Sequence, residues 1–301
     1  MGVGTAIKQG LGMARRANTG VWVLFLVNLG LAALSAFPFY RGILRFTGYS
    51  LESRSLLRGF SEDWLTDFSF NSPGSLQRYA AVIAAFGLLT ILVNAILAGG
   101  VLARFRDPNQ PQGLGTFCRD TGRYAWRMVR LMVLGLICYW IVFRLLNQSL
   151  GGLVDKWTRD ATNDRTVFWA HLPVVIVTVL GVVFVNLVMD YAKVKLVLDD
   201  DSSAVEAFLA SLGFSLGKLR KALTVYLIPA LLGIALLVIY RLVVPWDAIH
   251  ASLGAAAGWR YLEPLVLALL FIGQQIIMLG RYWFRVATWA SEWSYYSGSR
   301  G

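Results

Sequence analysis

The sequence predicts an all-α fold: a polytopic transmembrane helical bundle of six spans, with signs of three repeated helix pairs and with amphipathic helices at the interface. Three observations carry this. The 301 residues are 57% hydrophobic and only 15% charged, against about 45–50% and about 25% in soluble domains. The mean hydropathy is +0.59. Six apolar runs approach the ~20 helical residues needed to cross ~30 Å of hydrocarbon. Trp and Tyr stand near the ends of these runs, at Trp22, Tyr40, Tyr79, Trp126, Trp169, Tyr226, Tyr240, Trp246, Tyr261 and Tyr282, where an amphipathic ring suits the headgroup level.

The spans are expected at about 21–40, 79–103, 128–146, 167–189, 223–243 and 262–280. Together they form a membrane domain over 21–290, preceded by a cytoplasmic segment, 1–20, and followed by a cytoplasmic tail, 291–301. Each span must be a helix, because hydrocarbon offers no water to satisfy backbone polar groups. The alternation of a barrel strand is not seen. The first run is too long for a signal peptide, starts after a 20-residue polar stretch and is followed by no small-residue cleavage site. In the third, Arg130 and Arg144 are expected to snorkel to opposite interfaces.

Charge sets the expected orientation. An even number of spans puts both termini on one side, and that side holds 17 of the 28 Lys and Arg residues. Basic residues favour the cytoplasmic face of short loops, so both termini are expected in the cytoplasm, with the chain integral to the cell (inner) membrane. The net charge of +11 is thereby explained by topology, and no nucleic-acid partner is expected.

Three loop segments are amphipathic. In the outer loop Arg41–Arg78, Leu56, Leu57, Phe60, Trp64, Leu65 and Phe68 suggest short interfacial helices, one starting at Ser61 with Glu62 and Asp63 at its positive end. Such a surface either packs back on the bundle or docks a partner. In the first inner loop, Arg119, Arg123, Arg127 and Arg130 recur at helical spacing and line one face; these are the candidate contacts to anionic lipid headgroups. In the second, Ser203 to Glu206 form a capping-box pattern, followed by an apolar stripe of Val205, Phe208, Leu209, Leu212 and Leu216. The acidic triplet Asp199, Asp200 and Asp201 precedes it, a weak cation-site signal without calcium-loop spacing.

The even-numbered spans end alike. Asn94 is followed by Arg104 and Asp107, Asn186 by Lys195 and Asp199, and Gln275 by Arg285 at closely similar offsets. This is the sign of three repeated helix pairs, a pattern common in transporters. Polar residues within or beside the spans are Asn28, Asn94, His171, Asn186, Asp190, Gln274 and Gln275. They serve either as interhelical glue or as a pathway, and the candidate cluster is Asn94, Asn186, Gln274 and Gln275. Gly30, Gly99 and Gly100 favour close helix approach.

Asp190–Leu223, which reads DYAKVKLVLDDDSSAVEAFLASLGFSLGKLRKAL, resembles the inter-hairpin segment of uncharacterised bacterial six-span proteins. It is also similar to the membrane domain that precedes some glycerophosphodiester phosphodiesterases. The resemblance implies a six-span helical topology. It implies no activity, because the soluble catalytic barrel of those enzymes is not in this sequence, and it transfers no functional residue.

Reactive residues are scarce. Cys118 and Cys138 lack zinc spacing, and His171 and His250 lie outside the mid-membrane zone. No HExxH, P-loop, GxSxG or dinucleotide fingerprint occurs, and Gly10-Leu11-Gly12 is a fragment that follows no strand. No catalytic residue, metal or cofactor is expected. The expected role is a non-catalytic scaffold, assembly or accessory subunit with protein partners in the membrane. The alternative is a small transporter or lipid-handling permease using the amide cluster.

Overall fold

In a computed structural model of the chain, the structure describes residues 1–48, 62–107, 113–160, 163–244 and 263–299. The expected helix start at Ser61, with Leu56, Leu57 and Phe60, lies outside the described residues, as do Trp246, His250, Tyr261 and Arg300. All regular structure among the described residues is helical. The fold is an all-α polytopic bundle with six helices long and apolar enough to cross a membrane.

The elements are α1 (Val3–Arg16), α2 (Asn18–Thr47), α3 (Glu62–Asn71), α4 (Ser75–Arg106) and α5 (Leu114–Val142). A π-helical stretch, Phe143–Leu150, leads from α5 into α6 (Gly151–Trp157). Then come α7 (Asp164–Leu198), α8 (Ala204–Gly217), α9 (Leu219–Val243) and α10 (Glu263–Ser297). The expected 128–146 span is thus part of a longer helical run. Within it Arg144 donates to Gln148 Oε1 at 2.6 Å. Leu34, Leu88, Leu180 and Leu242 are each more than 60% exposed. Apolar surface on that scale belongs against lipid or a partner rather than water.

The chain forms two compact units. The first comprises Met1–Thr19, Ala95–Pro229 and Val286–Gly301. Its core is built from the ends of the even-numbered spans. Leu97–Leu102 of α4, Leu187–Val197 of α7 and Val286–Tyr296 of α10 are buried almost throughout. A helix buried on every side needs apolar or small residues all round, and VATWASEWSYY supplies Ala and Ser between large aromatics. Ser291–Ser297, assigned from the sequence to a tail, continue α10, and Ser291–Tyr296 are buried.

Each of these ends carries an amphipathic helix. On α10 lies α1, which buries Ala6, Gly10 and Ala14 at four-residue spacing. A Cβ on Gly10 would collide with the backbone of Ser291, and Ser294 Oγ donates to Gln9 Oε1 at 2.7 Å. The first half of α5 lies on α4: Phe117, Thr121, Tyr124 and Met128 are buried against Gly99 and Gly100, where a Cβ would strike Tyr124 and Thr121. Gly30 has no such neighbour within 4 Å. On α7 lies α8, with Phe214 against Tyr191 at 5.2 Å between ring centroids.

The second unit comprises Gly20–Asn94 and Ala230–Arg285. Here α3 turns Phe68 inward, stacked on Trp64 at 5.2 Å and edge-on to Phe46. The acids Glu62 and Asp63 occupy its first turn, where the positive end of the helix dipole favours them. The helices α9 and α10 meet at Gly233 against Phe284 and at Leu236 against Gly280.

Candidate functional site

The densest polar constellation sits in the first unit, around the turn between α7 and α8. Two sequence features kept apart by more than 70 residues converge there. Arg127 donates to Asp200 Oδ1 at 2.6 Å and to its carbonyl oxygen at 3.1 Å. Arg123 donates to Asp200 Oδ2, and Arg106 lies 3.4 Å from the same oxygen. Arg106 also donates to the Tyr124 hydroxyl at 3.0 Å. Arg130 donates to the Ser202 carbonyl at 2.9 Å. The arginine stripe therefore grips a turn of its own chain.

Backbone geometry fixes Asp200 in this grip. It follows the C-cap Asp199 of α7 and adopts φ +53°. Asp tolerates that left-handed conformation better than most side chains, though at some cost. The hydrogen bond from Arg127 holds the Asp200 carboxyl below the usual carboxylate range, helped by the charge of Arg123 and the Arg106 contact and opposed by partial burial. Its two neighbours are also paired: Lys195 bonds Asp201 and lies 3.6 Å from Asp199. The acidic triplet is thus neutralised by this chain's own cations. No group of three or more His, Cys, Asp or Glu among the described residues is placed to hold a metal.

Of the four arginines singled out from the sequence, Arg123 and Arg127 point at Asp200. Arg119 lies 3.7 Å from Asp120, and its side chain is 71% exposed. Arg130 is exposed, over the Trp126 ring at 5.9 Å. It borders an open groove of about 530 Å³ with Trp126, Val133, Ser202 and Val205.

The intramembrane amides fall in both units. In the second, Asn28 and Asn94 form a reciprocal amide pair, each donating to the other's Oδ1 at 2.9 and 2.8 Å. Each also donates to the carbonyl four residues earlier, Leu24 and Thr90, at 2.7 and 2.8 Å. In the first, Asn186 Oδ1 accepts from the Tyr139 hydroxyl at 2.7 Å. Gln274 is exposed and Gln275 half-buried, both in the second unit. Asn94 and Asn186 thus each bond a residue of the preceding odd-numbered span. Tyr139 was missed from the sequence, because a single tyrosine in an apolar run gives no signal of its partner.

The sequence reading also passed over Glu292. This carboxylate is fully buried in the first-unit core. With Asp190 and Tyr295 it lies within electrostatic reach of Tyr191. Asp190, 1% exposed, takes a hydrogen bond from Lys193 at 2.8 Å, and Lys193 stands over Trp289 at 5.7 Å. At the far end of α7, His171 bridges the Val167 carbonyl and Asp155, each at 3.0 Å. The His171–Asp155 bond joins α7 to α6, and the Lys193–Trp289 contact joins α7 to α10.

No protein family, curated protein or solved structure matches the chain.

Proposed function

We propose that this chain is a non-catalytic integral membrane protein acting as a scaffold, assembly or accessory subunit of a complex in the bacterial inner membrane, with both termini in the cytoplasm. The observation that carries the reading is the reciprocal Asn28–Asn94 pair. Polar groups inside apolar spans mark either a path or a joint between helices. Here each amide bonds the other and then its own helix, the pattern of a joint, and a single Tyr139–Asn186 bond links the next pair. The core of the first unit, filled with side chains around Val286–Tyr296, supports the same reading. The basic residues near α1, α5, α8 and α9 support cytoplasmic termini. Arg119 and Arg130 are the members of the arginine stripe best placed to meet anionic lipid.

One observation favours the permease reading: Gln274, a polar side chain, is exposed on the apolar helix α10. The two readings separate on purification of the full chain in mild detergent, followed by mass spectrometry of what travels with it. The scaffold reading predicts a fixed protein partner at constant stoichiometry, retained when Gln274 and Gln275 are both replaced by Leu. A lone species in every mild detergent contradicts it.

A further inference from the structure

The arginine stripe has an acid to hold; a second basic cluster in the same unit does not. Lys218, Arg220 and Lys221 lie where α8 gives way to α9, and all three are exposed. They line an open groove of about 580 Å³ with Leu216, Leu219, Tyr295 and Ser299. No Asp or Glu lines it, and none of the three cations forms an ion pair among the described residues. Lys218 is held over the Phe214 ring at 5.2 Å and reaches the Ser299 carbonyl at 3.4 Å. Arg220 and Lys221 stand in the first turn of a 25-residue helix, the end where cations are disfavoured and anions welcome.

The neighbouring apolar residues say what kind of anion fits. The face that α8 buries is made of Ala204, Ala207, Ser211 and Ser215. Of its large residues, Val205, Leu209 and Leu216 are 53%, 58% and 58% exposed, while Phe208, Leu212 and Phe214 are half-buried; Leu219 is 40% exposed. A helix that buries a stripe of Ala and Ser and leaves Val205, Leu209 and Leu216 outward is suited to lie against hydrocarbon. The cations follow directly on that face, and the apolar run of α9 begins two residues after Lys221. With α9 as a membrane span, the cluster falls at the border of the hydrocarbon layer, at headgroup depth.

We infer that the Lys218–Arg220–Lys221 groove is a binding site for the phosphate headgroup of an anionic glycerophospholipid, with the acyl chains lying along Leu209, Leu216 and Leu219. This rests on the membrane embedding of the chain and is independent of the scaffold role. The full chain in neutral detergent is titrated with phosphatidylglycerol, phosphatidylcholine and inorganic phosphate, and bound lipid is counted by native mass spectrometry alongside the thermal unfolding midpoint.

The expected result is saturable phosphatidylglycerol binding, with phosphatidylcholine and free phosphate weak. Binding falls about tenfold or more when Lys218, Arg220 and Lys221 are all replaced by Gln. It is retained in the charge-preserving Lys218→Arg, Arg220→Lys, Lys221→Arg variant. It is also retained when Lys156, Arg159 and Arg165 are replaced by Gln, which removes the same charge elsewhere. Equal loss in both neutralised variants reduces the effect to net charge and overturns the site. So does inorganic phosphate binding as tightly as the lipid, or phosphatidylglycerol binding unchanged in the groove variant.

Discussion

Asp200 shows how one residue can fasten several helices. Its carboxylate is the common acceptor of Arg106, Arg123 and Arg127, and its positive φ of 53° aims it at them. Asn accepts that conformation, so Asp200→Asn removes charge while leaving the turn intact. Hydrogen bonds to charged groups contribute about 1.5–3 kcal/mol, and a loss of that order in unfolding free energy is expected at neutral pH. The carboxyl is held below its usual range, so its contribution is present above the unfolded-chain value of about 4 and is lost as pH falls from there through the lowered value of the folded state. The gap between wild type and variant in thermal midpoint should therefore be widest at neutral pH and close in acid. A gap that grows in acid would contradict the clasp. The sequence displayed both halves of this contact, an acidic triplet and an arginine stripe. Their meeting depends on how α5 and α7 pack, which neither pattern encodes locally.

Among the elements, α1 and α8 were legible to different degrees. Half of the capping box of α8 forms, with Ser203 Oγ accepting from the Glu206 amide at 3.2 Å, and the apolar stripe exists. Sequence periodicity finds a stripe without saying which way it faces; here Ala204, Ala207, Ser211 and Ser215 face the protein, Val205, Leu209 and Leu216 face out, and Leu212 is half-buried. A nitroxide at Leu209→Cys is expected to be relaxed by oxygen, which concentrates in lipid, more than by a water-soluble nickel chelate. The reverse preference would place α8 in water. The fourteen-residue α1 was read only as a polar stretch, because its packing face consists of Ala6, Gly10 and Ala14 and small residues carry little hydropathy. Gly10→Val forces the α1 and α10 backbones apart, and overpacking of this kind costs about 1–3 kcal/mol. A lower unfolding midpoint is expected, against little change for Gly12→Val, whose Cβ would meet nothing within 4 Å. For α2 and α4, a double-mutant cycle on Asn28→Leu and Asn94→Leu should return a coupling of about 0.6 kcal/mol, reaching at most about 1.7. Zero coupling would remove the joint on which the scaffold reading stands.

For the whole molecule, hydropathy located the six spans and predicted the helical class, because hydrocarbon permits few alternatives. It did not locate the core. Val286–Tyr296 mixes Ala, Ser, Thr, Glu, Trp and Tyr, so the expected span ends at Gly280, and from 291 onward the chain reads as tail. Ser291–Tyr296 are instead surrounded by protein. The weak repetition of Asn94, Asn186 and Gln275 now has a physical counterpart: each amide lies before the stretch of its helix that enters the first-unit core. In that unit the Met1 amino group reaches the Gly298 carbonyl at 3.4 Å, which puts the two ends of the described chain side by side. The most direct test of the six-span account is membrane-impermeant thiol labelling of single-cysteine variants in Cys118→Ser, Cys138→Ala protein. The account predicts that Gly2→Cys and Ser299→Cys label from the cytoplasmic face and Lys156→Cys from the opposite one. Gly2→Cys and Ser299→Cys labelling from opposite faces would contradict it.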